Sequence, residues 1–381
     1  MGILELYKNY FLKFGSNRRW DDNTLLLYLF VIALAFLAGF FINKRKNNKG
    51  NVALYCYFVL FLFLGIIMGC RDISVGIDTL QYGEIFKEIN ILDIISTGGT
   101  EPGFRLFVRI LSQFTNNPSI AILLISLAIV LFIGKSLWNF RNSINLCFAI
   151  GIYVGIFYLQ SFNLMRIFLA SSIMLLGFHF LIDGRYKKYC FVVCLAATFH
   201  FSSVVMFMPV LFLLLYKKYK NVAFGIILLL IILVGPVTNL ISNYLTYDRY
   251  SQYLISISEN RFPGPMLFFE YSPFIIIACM LNNKHRYGSW FDLFVAFSLT
   301  GFYVRYLAYY IPAAGRLYVN FMPLFILLLP FFVQQIKKES LNKYYFITYY
   351  LIFYIIVRIH LYLSEYLAVD GIMPYSFFWN N

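Results

Sequence analysis

The stretch RYKKYCFVVCLAATFHFSSVVMFMPVLFLLLYKKYK, residues 185–220, decides how the rest of the chain is arranged. It carries a lysine cluster at each end and a single histidine, His200, near its middle. The ten residues from Cys190 to Phe199 make about 15 Å of helix, or half the thickness of a bilayer's hydrocarbon core. Residues 190–216 therefore either cross a membrane once or form a helical hairpin that enters and returns.

Six short basic clusters between the apolar runs favour the hairpin. Short loops rich in Lys and Arg stay on the cytoplasmic side of a membrane. A single crossing at 190–216 would place the later clusters outside, whereas a re-entrant hairpin leaves all six inside. The same distribution explains the net charge of +14 without nucleic acid as a partner. The clusters are Lys44/Arg45/Lys46/Lys49, Lys135/Arg141, Arg185/Lys187/Lys188, Lys217/Lys218/Lys220, Lys284/Arg286 and Lys337/Lys338/Lys343.

The composition is that of a membrane protein. Of 381 residues, 61% are hydrophobic and 13% charged, with a mean hydropathy of +0.74. A soluble domain could not bury so much apolar surface, and helices satisfy their own backbone in lipid. We predict an all-α polytopic fold, a single integral membrane domain over residues 1–381 with about ten transmembrane helices plus the hairpin. The predicted spans lie near 24–42, 52–69, 118–138, 144–160, 165–182, 221–240, 267–281, 290–308, 316–334 and 344–363.

This topology places the N-terminal tail and residues 70–117 outside, the latter as an extracytoplasmic segment. The tail carries a charge of only +1, from four cations and three anions, and residues 3–14 could instead form an interfacial helix. The six cysteines lie in or beside apolar runs and do not form the four-ligand array of a zinc site. We expect no metal and no cofactor.

The outer segments prefer arginine to lysine. Apart from the N-terminal tail, they contain one lysine, Lys87, against eight arginines, while Arg358 lies within the last span. The planar guanidinium suits bidentate capture of phosphate or carboxylate, so we expect an outward cavity for an anionic ligand. Individual arginines could instead pair with Asp78, Glu101, Asp248, Glu259 or Glu270. The eight are Arg71, Arg105, Arg109, Arg166, Arg249, Arg261, Arg305 and Arg316.

Three of these arginines are the main candidates for binding the anionic ligand, with Arg71 and Arg105 as helpers. Arg166 opens a span behind Asn163, a candidate N-cap, and helix N-termini favour anions. Arg305 and Arg316 bracket the short loop YYIPAAG, which should present both side chains to one cavity. Ionisable residues at membrane depth usually mark a site or pathway.

His200 is the candidate general base. One alternative is a neutral histidine that is hydrogen-bonded in the core. The other places it at the hairpin tip, facing the arginine-lined cavity, where an imidazole with an ordinary pKa near 6.5 could take a proton. We predict the second.

Several motifs, in this order and spacing, resemble the EpsG family, relatives of the Wzy O-antigen polymerases. The resemblance covers about residues 25–376. Its motifs are Arg71-Asp72-Ile-Ser-Val-Gly76-Ile-Asp78-Thr79-x-x-Tyr82, Glu101-Pro102-Gly103-Phe104, Arg166 at the start of a span, Phe199-His200-x-Ser202, Gly315-Arg316-Leu317 and Pro374-Tyr375.

The resemblance implies a GT-C-like fold in the bacterial cytoplasmic membrane and glycosyl transfer at its outer face. Such polymerases move a growing chain from undecaprenyl diphosphate onto a fresh lipid-linked repeat unit. The arginines would neutralise the leaving diphosphate, and His200, or its rival Asp78, would take the acceptor's proton. We expect Tyr82, Glu101 and Asn163 at the acceptor sugar. Membrane lipid, a chain-length regulator and a flippase are the expected partners.

Two other classes of function remain open. A glycan ligase, or a glycosyltransferase that uses a polyprenyl-monophosphate sugar, would share the base and the cations but differ in its acceptor or donor. A lipid-linked sugar flippase would also suit an arginine-lined cavity. Flippases commonly show internal repeats, which this sequence lacks, and the long polar segment 70–117 suits a fixed reaction site better.

Overall fold

The computed structural model describes residues 3–14, 19–46, 51–88, 100–244, 264–281 and 284–379. Within these ranges the chain is helical, and the only strand-like pairing is one bridge between Arg71 and Phe377. The predicted all-α fold is confirmed. Of the charged residues considered above, Asp248, Arg249, Glu259 and Arg261 lie outside the described residues, as does part of the segment 70–117.

Every predicted span is occupied by helix. The first half of the chain forms α1 (Ile3–Phe14), α2 (Asp22–Arg45), α3 (Val52–Gly69), α4 (Thr79–Glu88), α5 (Pro102–Leu111), α6 (Pro118–Asn139), α7 (Leu146–Ile152) with a π-turn over Tyr153–Tyr158, α8 (Gln160–Asn163), α9 (Met165–Leu176) and α10 (Phe178–Ile182).

The second half begins with α11 (Tyr186–Phe199), the 3₁₀ turn Phe201–Met206, α12 (Phe207–Lys218), α13 (Lys220–Tyr244), α14 (Pro265–Met280) and α15 (Ser289–Leu307). It ends with the 3₁₀ segment Pro312–Phe321, the π-turn Leu324–Leu328, α16 (Leu329–Glu339), α17 (Leu341–Leu361), the π-turn Tyr362–Tyr366 and α18 (Leu367–Val369). Among the described residues, seven helices are long and apolar enough to cross a membrane, and Leu146–Tyr158, Met165–Leu176 and Pro265–Met280 are shorter apolar helices.

Small residues let the central helices approach closely. A Cβ added to Gly69 of α3 would lie 2.7 Å from the Cα of Leu123 on α6, and one added to Gly134 of α6 would meet the ring of Phe61 at 2.7 Å. In lipid, helix association depends on such packing because lipid tails are as apolar as the side chains. These contacts make α3 and α6 a tight pair, on which α9 also packs.

The stretch quoted above turns back on itself. His200 ends α11 in an extended conformation (φ −156°, ψ 121°), and the 3₁₀ turn then leads into α12. At the far ends of the two arms, Lys217 Nζ donates a hydrogen bond of 2.8 Å to Tyr186 Oη. The two lysine-rich ends therefore lie side by side, as the hairpin requires.

Contacts between the basic clusters place them at one end of the molecule. Lys46 Nζ donates to the carbonyl of Ile144 at 2.7 Å. Burial and the nearby ammonium groups of Lys337 and Lys338 together lower the pKa of Lys46 to about 8. The other contacts at this end are the ion pairs of Arg286 with Glu339 and of Lys217 with Asp292, and the hydrogen bond between Lys217 and Tyr186.

The C-terminal segment is fastened to the segment that follows α3. Asp72 N donates to the carbonyl of Ser376 at 2.7 Å, and Phe378 N donates to that of Cys70 at 3.1 Å. Tyr375 Oη donates to the carbonyl of Ile67 at 2.8 Å. Two distant parts of the sequence are thereby fixed together at the end of the molecule away from the basic clusters.

Residues 3–14 form the helix α1, in agreement with the alternative in which this segment is helical. Its Tyr7 Oη lies 2.9 Å from Nδ1 of His360 in α17. The helix thus packs on the end of α17 that lies away from the basic clusters.

Candidate active site

A cavity of about 840 Å³ opens among α8, α14, α15, the 3₁₀ segment and the end of α17. Its charged lining falls into two sets of connected residues. We call Arg305, Arg316 and Arg358, with Glu270, the arginine group. We call Asp78 and Asp370, with Asn163 and Tyr362, the aspartate group. The exposed carboxylate of Glu365 completes the charged lining.

Glu270 organises the arginine group. It is 2% exposed and lies on α14, an apolar helix that a carboxylate enters only at a cost unless it is paired. Arg305 of α15 donates two hydrogen bonds to its carboxylate, from Nε at 2.6 Å and from Nη2 at 3.1 Å. Arg358 Nη1 of α17 lies 2.5 Å from Oε1 but is not aligned for a full hydrogen bond.

Arg316 differs from the other two arginines of the group. It is exposed, lines the same cavity, and forms no ion pair with any residue in the described ranges. Three guanidiniums and one carboxylate leave the arginine group with a charge of 3 − 1 = +2. Two of its cations are already positioned, and the third is available to an anion that enters the cavity.

Arg305 and Arg316 both line this cavity, and their role in binding an anion stays a prediction. Glu270 also bears out the alternative that individual arginines pair with carboxylates, because its pairing with Arg305 is bidentate. Pairing with a carboxylate and lining an anion-binding cavity are compatible, because an anion site needs positioned cations and Glu270 holds two of them at the cavity.

The aspartate group joins the segment that follows α3 to the end of the last helix. Asp78 N donates to Asn163 Oδ1 at 2.8 Å, and Tyr362 Oη donates to Asp370 Oδ2 at 2.6 Å. Tyr82, predicted at the acceptor sugar, is buried, and its hydroxyl donates to the carbonyl of Asn163 at 3.2 Å. Asn163 and Asp78 therefore line the cavity, whereas Tyr82 supports them from behind.

Asn163 does not cap α9, and this prediction was wrong. The helix starts after Leu164, which has no side-chain capping bond. Asn163 instead ends α8, and its side-chain oxygen accepts a hydrogen bond from the backbone N–H of Asp78. Asn163 is buried at the break between α8 and α9 and lies in the cavity lining.

His200, Glu101 and Arg166 form a separate cluster outside the cavity lining. Glu101 Oε2 lies 2.8 Å from Arg166 Nη1, and its Oε1 lies 2.7 Å from His200 Nδ1 and 3.1 Å from the backbone N of Phe201. The histidine contact is close but bent. Although burial raises the pKa of Glu101, the bonds and charges of His200 and Arg166 outweigh it and lower the pKa to about 2.

The structure therefore separates residues that the sequence had placed together. His200 is at the hairpin tip, as predicted, but it faces Glu101 and Arg166 rather than the cavity that Arg305 and Arg316 line. Glu101 joins the tip to the start of α9, and its place at the acceptor sugar stays a prediction. The catalytic role predicted for His200 stays a prediction.

Arg71 and Arg105 are both buried and lie outside the cavity lining. Arg71 is 0% exposed, and its guanidinium donates to the carbonyls of Met68, Val75 and Phe162. These hydrogen bonds join the segment that follows α3 to α3 itself and to α8. Arg105 lies on the buried face of α5, which carries Glu101 as its N-cap.

Sequence reasoning did not assign four of the charged lining residues a role at the site: Glu270, Arg358, Glu365 and Asp370. A signal existed for the first two, because each is an ionisable residue inside an apolar helix. The two others follow α17 with no motif to mark them. No three His, Cys, Asp or Glu side chains within the described ranges come together as metal ligands.

Comparison with known proteins agrees with the resemblance noted from the motifs. The chain matches the EpsG family over residues 54–377, which include both the cavity and the hairpin. The comparisons with curated proteins and with solved structures found no match, so the GT-C-like fold stays a prediction. EpsG-like proteins are Wzy-type polysaccharide polymerases. Since the match covers most of its length, this chain belongs to the EpsG family.

Proposed function

We propose that the protein joins undecaprenyl-diphosphate-linked oligosaccharide repeat units by glycosyl transfer at the outer face of the bacterial cytoplasmic membrane. The growing chain leaves its lipid diphosphate, and a hydroxyl of a fresh lipid-linked repeat unit takes its place. A family of polysaccharide polymerases supports the class of reaction. The carrier lipid and the side of the membrane are the parts that we infer.

The arginine group is the observation that carries the proposal. A diphosphate gains negative charge as its bond to the sugar breaks, and fixed cations in a cavity stabilise that charge. Arg305 is held in place by Glu270, and Arg316 lines the cavity as an exposed cation. A guanidinium binds phosphate oxygens through two parallel donors, which a lysine cannot do.

The position of the basic clusters supports an outward cavity. Their contacts gather them at the end where α17 begins, near Lys343. The cavity is lined by residues at the other end of α17, including Arg358 and Leu361. Because short basic loops stay in the cytoplasm, the cavity then faces the outside, where a flippase delivers lipid-linked repeat units.

The cavity also has room for the acceptor. The aspartate group lines it together with Gln160, so carboxylate and amide oxygens can accept bonds from sugar hydroxyls. Of the two bases considered from the sequence, Asp78 lines the cavity and His200 does not. We therefore place the base among the cavity carboxylates.

The test uses purified protein in lipid nanodiscs and lipid-linked repeat units extracted from cells that lack the protein. A ladder of longer glycans on a gel, formed with EDTA present and without nucleotide, is the expected result. Transfer of one glycan onto a different acceptor would indicate a ligase. Movement of the lipid across vesicles without a new glycosidic bond would indicate a flippase, and either result would overturn the proposal.

A further inference from the structure

Asp370 stands at the point where the chain leaves its last helix and turns back over the outer segment. Gly371 follows it with a φ of +64°, a conformation that glycine adopts without strain and that ends the helix. The turn leaves Asp370 on the cavity that the arginine group also lines. No motif of the sequence singles out this residue.

Main-chain hydrogen bonds fix Asp370 beside Asp78. The N–H of Ile77 donates to the carbonyl of Asp370 at 3.1 Å, and that of Gly76 donates to the carbonyl of Gly371 at 2.8 Å. Gly76 has a φ of +95°, so this pairing also depends on a glycine. Main-chain hydrogen bonds thus hold together the two segments that carry the aspartates.

The carboxylate of Asp370 is oriented as well as placed. Tyr362 Oη donates to Oδ2 at 2.6 Å, and the side chain of Asn163 also hydrogen-bonds to this carboxylate. Burial, together with the charge of Asp78, raises the pKa of Asp370 to about 6, although the hydrogen bonds from Tyr362 and Asn163 oppose the rise. The other charged groups around the cavity are Glu365, Glu270, Arg305, Arg316 and Arg358.

We propose that Asp370 is the general base of the transfer and that Asp78 binds the acceptor sugar beside it. This inference rests on the proposed function. The acceptor hydroxyl forms a bond to the anomeric carbon while the bond from that carbon to the diphosphate oxygen breaks. The hydroxyl proton passes to Asp370, and the leaving diphosphate keeps the electron pair and is held by the arginine group.

The environment of Asp370 suits this role better than that of His200. A general base works best when its pKa lies near the working pH, so that it is ionised yet still basic. Asp370 meets this condition and lines the cavity. His200 instead has its Nδ1 against Glu101, outside the lining.

The first experiment replaces Asp370 by Asn, which keeps the shape but cannot take the proton. Glu84→Gln is the control, because it removes an exposed carboxylate of α4 that does not line the cavity. Asp370→Asn should slow glycan extension by about 100-fold or more, and Glu84→Gln should leave it unchanged. Binding of undecaprenyl diphosphate, measured by its protection against thermal unfolding, should be similar in both variants.

A second variant separates catalysis from folding. The hydroxyl of Tyr362 donates to Asp370 and lowers its pKa, and Tyr362→Phe removes this donor. On the acidic limb of the pH profile, where the rate of glycan extension falls, the midpoint should therefore move from near pH 6 to higher pH. A residue with only a structural role would not move that limb.

The outcomes distinguish the two proposals. If wild-type protein makes no ladder, the proposed function fails and the inference fails with it. If wild-type protein makes a ladder and Asp370→Asn extends glycans at a near-normal rate, only the inference is overturned. An unmoved acidic limb in Tyr362→Phe would also overturn it.

Discussion

The guanidinium of Arg166 and the carboxylate of Glu101 form an ion pair of 2.8 Å that joins the start of α9 to the N-terminal end of α5. The same carboxylate reaches the hairpin tip through His200 Nδ1 and the N–H of Phe201. One side chain therefore connects three elements that are far apart in the sequence. We infer that Glu101 anchors the hairpin.

Replacement of Glu101 by Gln should make the protein less stable, and the difference should depend on pH. The pKa of Glu101 falls from 4.5 to about 2 in the fold, where the bonds and charges of His200 and Arg166 outweigh the opposing effect of burial. Its stabilisation is therefore fully present above pH 4.5 and is lost as the pH falls toward 2. In detergent, the unfolding temperatures of wild type and Glu101→Gln should differ by a few degrees at pH 7, and this gap should narrow in acid.

Glu84→Gln is the control, because Glu84 is an exposed carboxylate on the neighbouring helix α4. A gap of constant size between wild type and Glu101→Gln from neutral pH to pH 3 would contradict the anchoring role.

Glu270→Gln should be more damaging than Glu101→Gln. It leaves Arg305 and Arg358 close together without the anion that both contact, and removing one partner of a buried ion pair costs about 3–5 kcal/mol. Adding Arg358→Gln to Glu270→Gln should recover part of the loss, since the second change removes a stranded cation. Chemical unfolding of both single variants and the double variant measures this coupling. Additive losses would show that the two residues act independently.

Arg316 should matter for turnover and not for stability. It is exposed and makes no ion pair within the described part of the chain, so Arg316→Ala should unfold at the wild-type temperature. Loss of a cation that meets the leaving diphosphate should slow extension by about 100-fold. Arg316→Lys keeps the charge without the planar fork and should fall between the two.

The matched control for Arg316→Ala is Arg286→Ala, an exposed arginine at the basic end of the molecule. Equal extension rates for Arg316→Ala and wild type would remove Arg316 from the diphosphate site.

The hairpin makes a topological prediction. Single cysteines at positions 188 and 218, in a protein without its native cysteines, should both react only with reagents that cross the membrane. A cysteine in place of the exposed Leu80 should react from outside. Labelling at 218 from outside, with 188 protected, would mean that residues 190–216 cross the membrane once.

Local pattern was enough to predict most of the fold. Hydropathy predicted the helices, and for 52–69 the predicted bounds match α3. The lysine clusters predicted that the chain turns back after His200, which the bond between Lys217 and Tyr186 now supports. Both predictions use forces that act within one segment, namely burial of apolar residues and the placement of charge.

The site needed contacts that no segment reveals. Asp370 becomes a neighbour of Asp78 only through the bonds that Gly76 and Ile77 make to the turn at Gly371. Arg166 was grouped with Arg305 from its place at a span's start, yet Glu101 takes it into a different cluster. Arginines that look alike in sequence differ in the carboxylate that the fold brings to them.

His200→Gln distinguishes the base predicted from the sequence from the one inferred from the structure. Glutamine can keep a hydrogen bond to Glu101 but cannot take a proton at neutral pH. If Asp370 is the base, His200→Gln should extend glycans at close to the wild-type rate, while His200→Ala should lose hairpin stability much as Glu101→Gln does. The measurements are ladder formation and thermal unfolding of the same preparations. A loss of about 100-fold in His200→Gln, in a protein that unfolds normally and alongside an active Asp370→Asn, would return the role of base to His200. The hairpin tip would then have to reach the cavity during turnover, because the imidazole faces Glu101 in this structure.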